Sequence, residues 1–156
     1  HAGSFRNVVP CVDLSDTSPR ALERAVSLAA QESAALHVLH VYATPTNLFP
    51  FSRSVARAFE MSAEVLRREA ELQLAAFCEP LAAELRHLNA MQHVAAQQRS
   101  AGRTIVEFAN GKQADLVVMG TRGRSSLRDM LLGSTAERVL RDSGASILAV
   151  KPAGGA

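Results

Sequence analysis

Aromatic residues are scarce in this chain. Phenylalanine, tryptophan and tyrosine together make up 4% of its 156 residues, and tryptophan is absent. Hydrophobic residues nevertheless make up 47%, so alanine and small aliphatic side chains must form the core. Side chains of this size favour closely packed layers of helix on sheet over an aromatic-rich binding surface. At this length the chain is expected to form one domain, residues 1–156.

Cysteine is rare as well, and neither sign of charge dominates. Cys11 and Cys78 lack the short spacing of a redox or metal-binding motif, so two free, buried thiols are expected. The formal net charge of +2 is too small to predict nucleic-acid binding. The five histidines have no cysteine or carboxylate cluster beside them, and we therefore predict no metal site.

Long hydrophobic runs are missing too. No apolar run reaches the roughly 18 residues of a membrane-spanning helix, and no signal peptide opens the chain. These absences predict a cytoplasmic protein without membrane insertion. Residues 1–4 begin with His1 instead of methionine, as expected for the remnant of an expression tag or for a domain cut from a longer protein. Residues 153–156 are expected to form a flexible end.

Apolar segments of strand length alternate with helical patterns along the chain. Strands are predicted at 7–13, 36–43, within 91–98, at 116–119 and at 145–151. Pro10 lowers the expected regularity of the first strand, and Pro80 must kink or end the long helical pattern 55–88. The alternation of strand and helix indicates an α/β fold in which helices cover both faces of a parallel sheet.

The most informative stretch runs from 115 to 137. Its apolar strand stops at Gly120, Gly123 follows in a loop, and a helix is predicted to begin after Gly133. The loop carries three arginines and no carboxylate before Asp129: Arg122, Arg124 and Arg128. Free amide groups at a helix N-terminus, glycines and local positive charge are together what a polyphosphate needs. We therefore predict that this loop holds the phosphates of a nucleotide.

Each residue of this loop also has a structural interpretation. Gly120 and Gly123 can serve positive backbone φ angles alone, since loops use glycine for that purpose. Ser134 and Thr135 can simply cap the helix, a role that is compatible with phosphate contact. Arg122 and Arg124 are expected to be solvated, with a field that favours an anion.

The spacing Gly120-x2-Gly123-x9-Gly133-Ser134 resembles the nucleotide-binding signature of the universal stress protein family, in its ATP-binding branch. Other segments resemble the family's opening strand with its Asp-x-Ser turn, its second strand, the helix and strand before the loop, and its closing strand: 8–15, 36–42, 105–120 and 146–152. The resemblance covers almost the whole chain and is weakest over 44–97.

This resemblance implies a Rossmann-like, three-layer α/β/α fold with a five-stranded parallel sheet of order 3-2-1-4-5. Asp13 and Gly120 would then face each other across one cleft. In ATP-binding relatives the acid at the position of Asp13 contacts the nucleotide, the position of Val41 lies against adenine, and Met119 would end the central strand beneath the base. Asp13 could equally cap a turn with Ser15, while Val41 and Met119 could be plain core.

The resemblance implies a stress-response or regulatory protein that binds ATP, or AMP or cyclic AMP, with Mg²⁺ accompanying ATP. The chain lacks both the Gly-Lys-Ser/Thr of a P-loop and a Gly-x-Gly-x-x-Gly after the first strand. We predict no catalytic residue and at most slow ATPase activity, because Asp13 is the only cleft acid to nominate.

Two other functions stay open at this point. One is a slow ATPase on the same site, and the other is an interaction or regulatory domain of a larger protein, such as a transporter, with weak nucleotide occupancy. The apolar closing strand also predicts a homodimer, since pairing with a second copy would cover an open sheet edge. Family members commonly dimerise through this strand, so the resemblance implies the same contact.

Overall fold

Five strands alternate with helices in the computed structural model, which describes residues 4–45, 54, 62–121 and 132–152. The strands are β1 (Asn7–Cys11), β2 (Ala35–Tyr42), β3 (Met91–Ala96), β4 (Leu116–Gly120) and β5 (Ser146–Val150). The helices are α1 (Ser18–Glu32), α2 (Ala63–Cys78), α3 (Ala82–His87), α4 (Ala101–Gly111) and α5 (Ser134–Asp142). The expected elements are therefore present, with boundaries shifted by a few residues.

All neighbouring strands are parallel, and their order is β3-β2-β1-β4-β5. Alternate strand residues point to opposite faces, so Val8 belongs to one core cluster and Val9 to the other. The cluster around Val8 packs against α1, α2 and α3, whereas the cluster around Val9 packs against α4 and α5. The predicted three-layer fold and its strand order are confirmed.

β1 remains a regular central strand in spite of Pro10. It pairs with β4 at every position from Val8 to Cys11, so that Pro10 lies opposite Val118. On the other side, the Val12 amide donates to the Leu39 carbonyl at 2.9 Å. Because bonds to one neighbour recur at every second residue, the missing amide hydrogen of Pro10 is lost from the β2 side alone. The strand ends at Cys11, two residues before the predicted end.

The long helical pattern 55–88 is interrupted at Pro80, as predicted. α2 ends at Cys78, a 3₁₀ turn covers Glu79–Leu81, and α3 follows from Ala82. Pro80 lies in that turn because it lacks the amide hydrogen that a continuing α-helix would require. The predicted strand in 91–98 is β3.

Both cysteines are free and buried, as expected. Among the described residues, no helix is both long and apolar enough to cross a membrane. No group of three or more histidine, cysteine or acidic side chains in the described ranges could hold a metal ion. Phe49 and Phe51, which follow β2 in the sequence, lie outside the described residues.

Two histidines meet on neighbouring strands near the amino-terminal edge of the sheet. His37 Nδ1 lies 3.1 Å from His93 Nε2, and the His93 ring packs at 5.0 Å from the ring of Phe108. The ammonium of Lys112 lies over the same phenylalanine ring. Burial lowers the pKa of both histidines, and the positive charge of Lys112 lowers it further. The pair is therefore held neutral in the folded protein.

This pair should make the protein less stable in mild acid. The folded-state pKa lies below the unfolded value of about 6.5, so the unfolded chain takes up protons first as the pH falls. The contribution of the neutral histidine pair to folding stability is complete above that value and is lost as the pH falls below it. Between about pH 7 and pH 5.5, we expect the melting temperature of His93→Gln to fall by less than that of the wild type. His87→Gln, at an exposed histidine of α3, is the control, and equal pH dependence in all three proteins would contradict the prediction.

Candidate functional site

A cleft opens at the carboxyl ends of β1 and β4, where the winding of the sheet reverses. Parallel α/β sheets hold their ligands at this place because the crossovers on either side leave to opposite faces. The cleft has a volume of about 190 Å³. Its walls come from the ends of β1, β2 and β4 and from the starts of α1, α4 and α5.

Seven of the predicted site residues line this cleft: Asp13, Val41, Met119, Gly120, Gly133, Ser134 and Thr135. Cys11 pairs with Met119 across β1 and β4, which brings the turn after β1 next to the end of β4. Arg122, Gly123 and Arg124 lie outside the described residues. The expectation that Asp13 and Gly120 share one cleft agrees with the geometry.

Asp13 is held in a tight turn immediately after β1. Its Oδ1 accepts hydrogen bonds from the Ser15 amide at 3.0 Å and from the Ser18 hydroxyl at 2.7 Å, while the Asp13 amide donates to Ser18 Oγ at 3.0 Å. Leu14, between Asp13 and Ser15, has a φ of 64°. Such a left-handed conformation costs energy for a non-glycine residue, and the surrounding bonds maintain it.

These bonds control the charge of Asp13. Burial raises the pKa of the carboxyl, but the hydrogen bonds from Ser15 and Ser18 together lower it by more than burial raises it. The pKa therefore lies below its usual value. The carboxylate is therefore ionised at neutral pH. The Ser15 amide and the Ser18 hydroxyl both bond to the same oxygen, Oδ1, and Asp13 itself lines the cleft. The turn-capping role and the ligand-contacting role of Asp13 are thus compatible.

From the sequence, Ser18 followed by Pro19 is expected to be the N-cap of α1, but the structure gives Ser18 a different role. The helix begins at Ser18 itself, and Thr17 occupies the N-cap position. The Ser18 hydroxyl points back to Asp13 instead of capping the helix. Sequence spacing could not show this, because the contact depends on how the turn at Leu14 folds back.

α5 begins directly after Gly133, as predicted, but neither Ser134 nor Thr135 is its N-cap. Gly133 occupies the N-cap position, whereas Ser134 and Thr135 form the first turn. The φ of Gly133 is −61° and its ψ is 156°, a conformation open to any residue. Its amide donates to the Thr121 carbonyl at 2.7 Å and so ties the helix start to the end of β4. Gly133 therefore does not need to be glycine for the sake of its backbone angles.

Three residues at this helix start line the cleft, and their amides have no acceptor among the described residues. The first turn of an α-helix has no acceptors of its own for these groups, and no described residue accepts from the amides of Ser134, Thr135 or Ala136. Gly133 has no side chain that could satisfy them. Together with the positive end of the helix dipole, they form one electropositive wall of the cleft.

The opposite wall is apolar. Leu39 and Val41 of β2 contribute to it with Ile105 of α4, and Cys11 and Met119 lie between them and the polar wall. Burial raises the pKa of the Cys11 thiol to about 12, so this cysteine is protonated and acts as a small apolar side chain. A ligand with a flat apolar part and an anionic part matches such a divided cleft.

Sequence reasoning missed part of the lining, mainly Cys11, Leu39, Ala101, Ile105 and Thr121. A usable signal existed for Ala101 and Ile105. The helix that follows β3 must begin at the edge where the strands end, so its first turn reaches the cleft. Nothing in the local sequence distinguishes Cys11 or Leu39 from ordinary core residues.

We predict that Ser18→Ala raises the pKa of Asp13 towards its ordinary value, because the carboxylate loses its shortest hydrogen bond. The lowered pKa stabilises the folded protein above the unfolded pKa of about 3.9, and that stabilisation is lost as the pH falls through the folded-state value. At neutral pH we expect unfolding to cost about 1 kcal/mol less. Titration of the Asp13 carboxyl by NMR measures the shift, with Ser27→Ala, at an exposed serine of α1, as the control. An unchanged Asp13 pKa would contradict this account of its turn.

Known proteins are similar to this chain in both sequence and fold. The model of the universal stress protein family matches residues 4–151. Universal stress protein MJ0531 of Methanocaldococcus jannaschii is 32% identical over 151 residues, which covers 94% of this chain and 82% of the relative. The solved structure of MJ0577 from the same organism superimposes with a TM-score of 0.75 at 22% identity, covering 95% of this chain and 96% of that one. A universal stress protein solved in complex with cAMP has a TM-score of 0.67 at 26% identity, covering 97% of this chain and 100% of that one. The chain belongs to the universal stress protein family.

Proposed function

We propose that this protein binds an adenine nucleotide, ATP in the first place and AMP or cyclic AMP as alternatives, and acts as a nucleotide-responsive regulator in the stress response. The observation that carries the proposal is the divided cleft, with an apolar wall at Val41 and, at the start of α5, amides that no described residue accepts from. The relative solved in complex with cAMP supports the same ligand class. Adenine nucleotides are abundant in the cytoplasm, which is where the proposal places the protein.

The charges of the cleft set the direction of the ligand. Ionised Asp13 repels phosphate, whereas the amides of Ser134 and Thr135 attract it. The phosphates therefore lie against the start of α5, near Gly120 and Gly133. A neutral donor group of the nucleoside, such as a ribose hydroxyl or the amino group of the base, then lies within reach of Asp13. The base packs against Val41 and above Met119.

Arg122, Gly123 and Arg124 complete the phosphate end in this proposal, since their loop follows Gly120 directly. Mg²⁺ would arrive with the phosphates of ATP and keep most of its water ligands, as this ion usually does. Asp13 is the only acidic residue among the described residues that line the cleft. Its Oδ1 is engaged by Ser15 and Ser18, so the site favours binding over rapid hydrolysis.

Binding should raise the melting temperature with ATP, AMP or cyclic AMP. A ligand at a hundredfold excess over its Kd stabilises the folded state by about 2.7 kcal/mol. Gly133→Asp should abolish most of this shift, because its carboxylate repels phosphate at the start of α5. The ligand-free variant should be as stable as the wild type, since aspartate suits the N-cap position and the φ of Gly133 is negative.

Gly144→Asp is the matched control for that variant. It adds the same charge in the turn before β5, where an added Cβ meets nothing within 4 Å. Mass spectrometry of the denatured, freshly purified protein would identify a retained nucleotide. Phosphate release by substoichiometric protein would favour a slow ATPase. If none of the three nucleotides shifts the melting transition at millimolar concentration, the proposed binding function is wrong.

We further propose that the protein forms a homodimer through β5. This strand pairs with β4 alone among the described residues, so its outer edge offers unpaired backbone groups. The Ser146 amide donates to the Asp115 carbonyl and the Val150 carbonyl accepts from Thr121. By the alternation of a parallel ladder, the amides of Ile147 and Ala149 therefore point outwards, towards a second copy.

Ala149→Pro should convert the dimer into a monomer. Proline removes an outward amide without removing a bond to β4, and Ala149 is exposed, so the fold should survive. Light scattering measures the mass, and Ala149→Ser serves as the control that keeps the amide. A monomeric wild type at micromolar concentration and above would contradict the proposed dimer.

A further inference from the structure

α4 and α5 lie close to each other at a glycine, Gly102. Gly102 is buried in the first turn of α4. A Cβ added there would lie 2.9 Å from both Cβ and Cγ of Arg138 and 3.3 Å from the carbonyl oxygen of Thr135. Contacts below 3.0 Å are essentially never seen for a real Cβ, so the present spacing of the two helices depends on the missing side chain.

The atoms that meet Gly102 belong to the framework of α5. The Cβ of Arg138 is fixed by the helix backbone, while the tip of the side chain extends to Asp142, with Nε at 3.0 Å from Oδ2. The Thr135 carbonyl is itself a backbone atom in the first turn. Rotating the flexible end of Arg138 therefore cannot make room for a side chain at 102. One of the helices would have to move.

This contact lies beside the cleft. Ala101 and Ile105, which flank Gly102 in α4, line the cleft. So do Ser134, Thr135 and Ala136 in the first turn of α5. The start of α5 is tied to β4 through the bond from the Gly133 amide to the Thr121 carbonyl. The first turn of α5 is thus placed between the end of β4 and the first turn of α4.

We propose that Gly102 is a positioning residue for the phosphate end of the cleft. By permitting the close approach of α4, it sets where the amides of Ser134, Thr135 and Ala136 point. This inference rests on the proposed nucleotide-binding function and adds to it a residue that touches no ligand. A Cβ at position 102 pushes the first turn of α5 away from α4, and the amides no longer converge on a phosphate.

The test compares two alanine substitutions in the same helix. Gly102→Ala introduces the clash, whereas Gly111→Ala adds the same methyl group at the other end of α4, where it meets nothing within 4 Å. Calorimetry with adenosine, AMP and ATP then separates the two ends of the ligand. We expect Gly102→Ala to weaken the binding of ATP about tenfold, which is equivalent to losing one hydrogen bond to a charged group. Adenosine should bind Gly102→Ala and Gly111→Ala alike.

A second substitution tests whether the clash is the cause. Arg138→Gly removes the Cβ and Cγ that Gly102→Ala would meet, so the double variant should recover the ATP affinity of Arg138→Gly alone. If Gly102→Ala does not fold by itself, this comparison carries the test in its place. A double variant that also fails to fold would overturn the proposal, because Gly102 would then serve folding alone.

Three binding results would each contradict one of the two proposals. Equal ATP affinity for Gly102→Ala and Gly111→Ala would overturn the positioning role. An equal loss for adenosine and ATP would also overturn it, since Gly102 would then shape the whole cleft and not its phosphate end. A wild type that binds none of the three compounds would instead refute the proposed function, which separates that failure from this one.

Discussion

The pairing of β1 with β4 is the contact on which the rest of the structure depends. These strands are more than a hundred residues apart in the chain, and the Asp115 carboxylate fastens their starts by accepting from the amides of Arg6 and Asn7 at 2.7 and 2.8 Å. The same pairing brings Cys11 opposite Met119, so both strands end at one edge. Because α1 and the crossover after β4 leave to opposite faces of the sheet, that edge stays open as a cleft. Fold and candidate site thus follow from one long-range register.

Backbone groups supply much of the polar surface in the described part of the cleft. The negative charge of Asp13 is stabilised by a serine hydroxyl and an amide from its own turn, and the positive wall consists of amides at the start of α5. A site built this way is set by the positions of helices, so a glycine such as Gly102, which touches no ligand, can matter as much as a residue that does. This is the physical reason for assigning it a positioning role.

Much of this arrangement could be predicted. The alternation of strand and helix predicted the layers, and Pro80 predicted the break between α2 and α3, because proline has the same local consequence in any tertiary context. The glycine pattern from 120 to 133 pointed to the cleft through its resemblance to a family. Predictions failed where a side chain had a choice of local partners. Ser18 bonds Asp13 instead of capping α1, and Gly133 occupies the N-cap position that Ser134 or Thr135 was expected to fill.

The sequence by itself determined the elements, the fold class and the identity of seven residues that line the cleft, because periodicity, proline and glycine act locally. Only the tertiary structure decided that Asp13 and the first turn of α5 line one cleft, that the first amides of α5 have no acceptor among the described residues, and that Gly102 must be without a side chain. Each of these depends on groups far apart in the chain: β1 against β4, or α4 against Arg138. Local propensity contains no information about such distances, since they are fixed only when the sheet assembles and the helices pack against it.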